Sequence, residues 1–395
     1  MPLDIDRARR DTPGCTEVVH FNNAGAALPP QPVLDAQLRH LHREAETGGY
    51  EAAADAEEAL AHTYAAIATM LGCAPDEVAV VENATRAWDM AFYAMTFERG
   101  DRILTSPASY ASNYIAMLQV ARRTGATIDV VPRDASGQVD VDQLEAMLDE
   151  DVALIALTHM PTNGGLVNPA AEVGAIARDA GVPFLLDACQ SAGQMPLDVG
   201  ALGCTMLSAT GRKFLRGPRG TGFLYVRRDW IERLEPPLLD LHAATWVAPD
   251  RYEIHPDARR FETWEGYVAG KIGLGVAVDY ALEWGLDAIF ERVQRLAASL
   301  RQQVAALPGV TVHDVGRVQG GITTFSAEPM EAAALKQALR AHGFNVSVSP
   351  RSSTRLDAEQ RRLPALVRAS VHYYNTRTEI DRFCAVVRDL LRTAR

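Results

Sequence analysis

The feature that most constrains the fold of this chain is an unbroken apolar run, residues 182–186, that ends in a single acid, Asp187. A strand that is hydrophobic on both faces belongs inside a parallel sheet covered by helices. Open sheets of this kind bind their ligands at the carboxyl ends of the strands. Lys213 follows in the run TGRK, next to the glycine-rich GPRGTG and a second apolar stretch, residues 222–226. We therefore expect Asp187 and Lys213 at neighbouring strand ends, in one ligand site.

The rest of the first half predicts an α/β fold. Short apolar strands alternate with helical patterns of ten to fifteen residues, which is typical of a mainly parallel sheet with both faces covered. Predicted strands lie at 77–81, 102–105, 127–131 and 153–157, and predicted helices at 52–71, from Ala84, at 141–148 and from Pro169 to Gly181, with Thr85 and Asn168 as possible caps.

The pattern changes after residue 226. Several prolines and no clear period predict an irregular segment at 229–260, partly over the cleft. From about residue 270 the helices and strands indicate a smaller α+β unit, closed by a terminal helix with one apolar face. We divide the chain into an N-terminal arm (1–20), a large domain (21–265) and a small C-terminal domain (266–395).

A carboxylate and a lysine at one strand edge suit an aromatic aldehyde that carries a phosphate. A lysine amine forms a Schiff base with pyridoxal phosphate, whose ring is an electron sink while its nitrogen stays protonated. Asp187 would face that nitrogen and Gln190 the ring hydroxyl, while Thr210 and Arg212 would hold the phosphate. Singly, these residues have plainer explanations: a helix cap, a solvated lysine and a tight turn. Matching pieces elsewhere in the chain favour the shared site.

Composition excludes several other classes. The 395 residues carry a net charge of −11, which argues against a nucleic-acid surface, so the basic cluster of Arg212, Lys213, Arg216 and Arg219 indicates a pocket for a small anion. No apolar run approaches membrane-spanning length, and the N-terminus does not resemble a secretory signal. Five scattered cysteines show neither disulfide nor metal-ligand spacing, so we expect a cytoplasmic protein without a metal site.

The runs DACQSAG and TGRKFLRGPRGTGFLYV resemble the core of the class V aminotransferase family, which includes cysteine desulfurases and isopenicillin N epimerase-like enzymes. The resemblance extends from about Phe21 to Leu391. It implies the fold-type I architecture and dependence on pyridoxal phosphate. Many members have a histidine where this chain has Arg212, which changes the expected phosphate contacts.

The resemblance also assigns roles to residues around the cofactor. Ala84, Thr85 and Arg86 would begin a helix that cups the phosphate, and Tyr110 would stack on the ring where the family usually has a histidine. Thr162 or Asn163, with Asn163 preferred, would lie near the ring hydroxyl and the substrate carboxylate.

Further implied residues concern the substrate and a second subunit. Arg368 would pair with the substrate α-carboxylate, and Asn23 with Ala24 would line the substrate site. Thr263 would reach the cofactor phosphate of a neighbouring subunit, which implies a homodimer. A loop with Arg351 and Arg355 would either recognise an acidic or polar substrate side chain or be merely solvated, and the sequence leaves both open.

The choice of reaction depends on one absence. Cysteine desulfurases keep a nucleophilic cysteine on a loop shortly before the carboxylate-binding arginine, but the corresponding SVSPRSSTRLDAEQRRLPALVR has none. We therefore favour a C–S β-lyase that acts on an S-substituted cysteine or its sulfoxide, with Lys213 removing the α-proton and pyruvate and ammonia as products. Amino-acid epimerisation, with Tyr110 as second proton carrier, is the first alternative and transamination the next. A non-catalytic binding module fits poorly with Lys213, Asp187 and Arg368 all present, and a nicotinamide dehydrogenase lacks its GxGxxG motif.

Overall fold

Two unequal sheets, each covered by helices, organise residues 3–394, the part of the chain that the computed structural model describes. The strands are β1 (Val19–His20), β2 (Val78–Val81), β3 (Arg102–Thr105), β4 (Thr127–Val130), β5 (Val152–Thr158), β6 (Phe184–Asp187), β7 (Met206–Thr210), β8 (Gly222–Val226), β9 (Ala244–Ala248), β10 (Arg251–Ile254), β11 (Val310–Val312), β12 (Ile322–Ala327), β13 (Phe344–Asn345), β14 (Ser347–Ser349) and β15 (Leu366–Ser370).

The helices are α1 (Ile5–Arg10), α2 (Gln31–Thr47), α3 (Gly49–Asp55), α4 (Glu57–Leu71), α5 (Ala84–Tyr93), α6 (Ala111–Thr124), α7 (Val141–Ala146), α8 (Ala170–Asp179), α9 (Val199–Leu202), α10 (Arg228–Ile231), α11 (Val268–Trp284), α12 (Leu286–Ala305), α13 (Ala332–Ala341), α14 (Arg355–Gln360) and α15 (Arg377–Thr393). Within residues 3–394, none of them combines the length and the apolar character that crossing a lipid bilayer requires.

The large sheet has seven strands in the order β2-β8-β7-β6-β5-β3-β4. Only β8 runs antiparallel to its neighbours β2 and β7, so the prediction of a mainly parallel sheet is confirmed. Every residue of β6, β7 and β8 is buried, because helices cover both faces. The uniformly apolar run ending in Asp187 therefore lies at the centre of the sheet.

Two predicted helix caps are wrong. Asn83, not Thr85, caps α5, because its side chain accepts the backbone N–H of Arg86. Pro169 precedes the first turn of α8, while the Asn168 amide donates to the Thr158 carbonyl at 2.8 Å and accepts from the Val139 N–H at 3.0 Å. Asn168 thus joins two neighbouring segments and does not cap a helix.

The segment 229–260 is more regular than predicted. Strands β9 and β10 form an antiparallel hairpin across the Pro249-Asp250 turn. Its β-branched and aromatic residues on either side of that turn were the overlooked signal. The predicted helix 52–71 also differs, because it is interrupted at Ala56, between α3 and α4.

The small sheet is antiparallel, with the order β11-β12-β15-β14. Helix α15 packs its apolar face on this sheet, as its sequence pattern predicts, through the buried Ile380, Phe383, Val387 and Leu391. Val19 and Phe21 belong to the same core, whereas Leu274 and Val278 of α11 belong to the core beneath the large sheet. The division of the chain near residues 20 and 265 stays a prediction.

Candidate active site

Asp187 occupies the carboxyl end of β6, where the sheet buries it almost completely. Its carboxylate accepts the side-chain amide of Asn113 at 2.8 Å and the backbone N–H of Cys189 at 2.9 Å. Burial raises the pKa of this carboxyl, while the Cys189 N–H, the charge of Lys213 and the Asn113 amide act in the opposite direction. A cation brought against it would complete the stabilisation of the negative charge.

Lys213 lies in the turn between β7 and β8, so it stands beside the strand that carries Asp187. Its side chain is buried, with Nζ 3.1 Å from the Sγ atom of Cys189 and 6.0 Å from the ring centroid of Tyr110. The turn is tight because Gly211 approaches Thr221 so closely that a Cβ would come within 2.4 Å of the Thr221 hydroxyl. The glycine-rich run thus places the lysine at the strand edge.

Arg368 reaches the same region from the small sheet, on β15. Its Nη1 donates to the carbonyl of Thr162 at 3.1 Å and to the Thr162 hydroxyl at 2.7 Å, while its Nε is buried without a partner. Burial lowers its pKa to about 10, which leaves the guanidinium charged at neutral pH. Among residues 3–394 no carboxylate lies within 4 Å of it. A buried, charged and incompletely paired guanidinium is a site for an anion.

Thr162, rather than the preferred Asn163, joins the two halves of the site. Its hydroxyl accepts from Arg368 and also from the Gln190 amide at 3.3 Å. Gln190 donates to the Ala24 carbonyl at 3.1 Å, and its Oε1 is buried without a partner. The Asn163 amide donates to the Thr354 hydroxyl at 2.8 Å, and its Oδ1 is buried without a partner, so the preference for Asn163 stays a prediction.

The proposed phosphate region is assembled at the start of α5. Thr210 pairs with Gly222, and Gly222 packs against the backbone of Asn83, so the N-terminus of α5 adjoins the end of β7. Ala84 is buried there, while Thr85 is exposed and Arg86 is half-buried. The Thr210 hydroxyl donates to the Thr221 carbonyl at 3.2 Å. The N–H groups of a helix start suit a phosphate.

The basic cluster of the sequence divides in the fold. Arg212 stays close to the site, donating to the Gly25 carbonyl. Arg216 is buried instead among the rings of Tyr280, Tyr373 and Tyr374 and binds the Leu28 carbonyl, and Arg219 is exposed. The expectation of one anion pocket formed by all four basic residues is therefore wrong, because two of them point elsewhere.

Four further predicted residues lie at the margins of the site. The Asn23 amide donates to the Ser370 carbonyl at 2.8 Å, and its oxygen accepts from the Tyr374 hydroxyl at 2.5 Å. The donor and the acceptor of this side chain are therefore both paired within the protein. Arg351 and Arg355 are exposed, and Thr263 is half-buried with its hydroxyl 3.3 Å from the Glu265 carbonyl. Their roles toward substrate and partner stay predictions.

Sequence reasoning missed two residues that contact the proposed reacting groups. Asn113 holds Asp187 from α6, one turn after Tyr110, and Cys189 contacts Lys213. The signal for Cys189 was its position two residues after Asp187 at the end of a buried strand, where a side chain returns to the ligand edge. Asn113 carried no comparable signal, since a polar residue in the first turn of a helix is ordinary.

Comparisons with known proteins show the family and the fold of the chain. The model of the family described as aminotransferase class-V matches residues 19–383. A probable cysteine desulfurase of Methanothermobacter thermautotrophicus is 30% identical over 388 residues, which cover 96% of each chain. The apo structure of a cysteine desulfurase from Thermococcus onnurineus superposes with a TM-score of 0.90 at 25% identity, over 100% of this chain and 99% of that one. The cystine C–S lyase C-DES shares the fold at a TM-score of 0.86 and 24% identity, over 96% and 99%.

The chain belongs to the class-V aminotransferase family and is a pyridoxal-phosphate-dependent enzyme of the fold-type I architecture. The residues present fit that cofactor. The buried carboxylate of Asp187 suits a cationic ring nitrogen. Gln190, three residues later, offers the unpaired acceptor Oε1, and the Lys213 side chain offers an amine. Arg368 remains for an anion of the substrate.

Proposed function

We propose that this enzyme is a C–S β-lyase that acts on an S-substituted L-cysteine or its sulfoxide. The main support for an amino-acid substrate is Arg368. Its guanidinium is buried, its Nε is unpaired, and it has no carboxylate partner within residues 3–394. An α-carboxylate would accept two hydrogen bonds from it. Thr162 would fix the guanidinium for that contact, because it accepts from Nη1 through two oxygens.

The other residues divide the remaining work. Pyridoxal phosphate, when bound, supplies an electron sink for the charge that develops at the substrate α-carbon. Lys213 removes the α-proton, and Asp187 keeps the ring nitrogen cationic by its buried charge. Tyr110, whose ring lies 6.0 Å from the Lys213 amine, would cover the opposite side of the reacting region. Thr210, Arg212 and the first turn of α5 hold the phosphate. The sulfur leaves as a thiol or a sulfenate, and hydrolysis of the remaining three-carbon fragment consumes one water molecule and gives pyruvate and ammonia.

The loop before Arg368 supports release of the sulfur without a protein-bound persulfide. It forms a 3₁₀ turn (Arg351–Thr354) and the short helix α14, and it contains no cysteine. It is fixed to the large domain, since Thr354 accepts from Asn163 and the N–H of Asp357 donates to the Pro107 carbonyl at 3.1 Å. A sulfur carrier needs a thiol that can reach a second acceptor, and this segment offers none.

Cys189 is the one thiol of the described residues that contacts Lys213. It lies two residues after the end of β6, and its backbone N–H donates to the Asp187 carboxylate. A thiol held in this way within the sheet edge is poorly placed to carry sulfur to an external acceptor. We therefore assign it no carrier role, and intact-mass measurement during turnover tests that assignment.

A homodimer with shared sites is part of the proposal. Glu262 is buried and accepts from the Tyr64 hydroxyl at 2.8 Å and the Val80 N–H at 2.7 Å, which fixes the backbone next to Thr263. Large aromatic side chains are exposed on the β9–β10 hairpin, at Trp246 and Tyr252, and directly after Thr263, at Trp264 and Tyr267. Exposed apolar side chains of this size suit an interface. Thr263 would reach the phosphate of the second subunit there.

The test is proton NMR in heavy water, with the holoenzyme and a panel of amino acids that includes S-substituted cysteines and their sulfoxides. Pyruvate formed from the sulfur compounds supports the lyase, and intact-mass measurement during turnover should find no added sulfur on the protein. A persulfide mapped to Cys189 would contradict the persulfide-free mechanism.

Amino-acid epimerisation is the second candidate. It is favoured by Tyr110, which lies near Lys213 on a separate element and offers a hydroxyl as a second proton carrier. In the same NMR experiment, loss of the α-proton signal with an intact carbon skeleton would establish this reaction. Appearance of a 2-oxo acid that retains its side chain would instead indicate transamination. Either result would refute the lyase.

A further inference from the structure

Cys189 connects the two groups on which the proposed chemistry depends. Its backbone N–H donates to the Asp187 carboxylate at 2.9 Å, and its Sγ lies 3.1 Å from the Nζ atom of Lys213. One residue therefore contacts both the carboxylate and the amine. No other side chain among residues 3–394 hydrogen-bonds to the Lys213 amine.

The surroundings of Lys213 offer its amine no other hydrogen-bonding side chain within residues 3–394. Lys213 is 8% exposed, and its other polar or aromatic neighbour is the Tyr110 ring, 6.0 Å away. Among residues 3–394 no carboxylate oxygen lies within 4 Å of its amine, although Asp187 stands on the adjacent strand. The thiol alone therefore fixes the end of a flexible side chain that has four rotatable bonds.

A sulfur atom is well suited to hold an amine that must change partners. A carboxylate at this position would form a short, charge-assisted bond and retain the lysine as an ammonium. A thiol is a weak donor and a weak acceptor, so it restrains the amine in either protonation state at little cost when the contact breaks. An alanine would leave the amine without a hydrogen-bonding partner.

We propose that Cys189 is a positioning residue that holds the Lys213 amine on the Asp187 side of the cleft, where the amine meets the α-carbon of the substrate. The proposal rests on the assignment of Lys213 as the base. It goes beyond that assignment, because it gives the active-site thiol a role other than carrying sulfur.

The first test needs neither cofactor turnover nor a substrate. Burial raises the pKa of the Cys189 thiol, and the charge of Lys213 opposes that rise. Cys189 is also partly exposed, so a small reagent can reach it. In the apoprotein, the Lys213→Gln variant should alkylate Cys189 with iodoacetamide about fivefold more slowly at pH 8, measured by peptide mass spectrometry. The matched Lys336→Gln variant, which changes an exposed lysine, should alkylate at the wild-type rate. Equal rates in all three proteins would overturn the contact.

The second test separates positioning from packing. The Cys189→Ala holoenzyme should form pyruvate from the sulfur substrate about tenfold more slowly with an unchanged KM, and its α-deuterium isotope effect on kcat should rise. Cys189→Ser keeps a hydrogen-bonding atom and should recover to within about threefold. Cys204→Ala, which changes a cysteine buried two residues before β7, is the control.

Wild-type pyruvate formation by Cys189→Ala, or failure of Cys189→Ser to recover, would overturn the positioning role. If the wild-type enzyme formed pyruvate from no amino acid of the panel, the proposed function would fail instead. The alkylation result would still decide the contact between Cys189 and Lys213, so the two failures are distinguishable.

Discussion

The two ends of the site are built in different ways. At the cofactor end, Asp187 is the last residue of strand β6 and Lys213 lies in the turn after strand β7, in a sheet whose central strands are completely buried. At the carboxylate end, Arg368 comes from the small sheet and meets Thr162 on the loop after β5 of the large sheet. The first arrangement follows from local hydrophobic pattern, whereas the second requires two separate units to meet.

Long-range polar contacts maintain the carboxylate end. Asp357, which is buried, pairs with Arg133 of the large domain and with Arg361 at 3.4 Å on its own loop. Removing one member of a buried ion pair leaves an uncompensated charge, so such a loop is sensitive to its partners. The comparison therefore predicts severe, chemical defects at the cofactor end and graded, binding defects at the carboxylate end.

The largest effect is expected for Lys213→Ala. Removal of the amine that takes the α-proton should lower kcat by about 10⁴-fold or more, since general-base catalysis contributes up to about that factor. The cofactor should remain loosely bound, which its absorption spectrum would report. Lys336→Ala is the matched control and should turn over normally. A Lys213→Ala enzyme that kept its turnover would refute the assignment.

Asp187→Ala should have the next largest effect. Without the carboxylate the ring nitrogen loses its charged partner, and we expect kcat to fall by roughly 10²- to 10³-fold, as for other preorganised electrostatic groups. Steady-state kinetics at saturating cofactor would measure it, with Asp179→Ala on the exposed end of α8 as control. Activity near that of the wild type would contradict the role of Asp187 opposite the ring nitrogen.

At the carboxylate end, Arg368→Ala should act mainly on KM. Loss of a charge-assisted hydrogen bond costs about 1.5–3 kcal/mol, so KM should rise by about 100-fold with a smaller change in kcat. Arg368→Lys should recover only part of this, because an ammonium cannot form the two parallel bonds of a guanidinium. The exposed Arg388→Ala is the control. A fall in kcat at constant KM would place Arg368 in the chemical step and erase the contrast between the two ends.

The sequence predicted the residues of the cofactor end more completely than those of the carboxylate end. The apolar run before Asp187 and the glycine-rich turn after Lys213 predict the positions of these residues, because burial on both faces leaves a central strand little freedom. The choice between Thr162 and Asn163 depended on how an irregular loop turns its side chains. No pattern encodes that choice, since it is decided by the approach of Arg368 from a strand some two hundred residues later. Likewise, Arg216 and Arg212 differ only in which tertiary partners reach them.

Substitutions of Thr162 and Asn163 test which of these two neighbouring residues matters more at the carboxylate end. Thr162→Val keeps the shape and the backbone carbonyl but removes the hydroxyl that accepts from Arg368 and Gln190, so KM should rise by about tenfold. Asn163→Ala only loosens the loop at Thr354 and should raise KM by about threefold, with faster proteolysis near Arg351. If Asn163→Ala were the more damaging change, the original preference for Asn163 would be correct.

An effect on stability and not on turnover is expected at the junction between the two ends, where His372 donates to the Phe214 carbonyl next to Lys213 at 2.7 Å. Burial lowers the pKa of His372 to about 3, so the folded protein keeps it neutral while the unfolded chain takes up a proton below about pH 6.5. Its contribution to stability is therefore complete above that pH and falls as the pH drops.

Between pH 7 and pH 5 the wild-type protein should lose about 2 kcal/mol more of its free energy of unfolding than His372→Gln, because the amide cannot take up that proton. Urea unfolding at several pH values measures the difference, and only its slope matters, since the substitution also changes the packing. Parallel slopes would mean that His372 is protonated in the folded protein, and the two ends would then be joined by a charged contact.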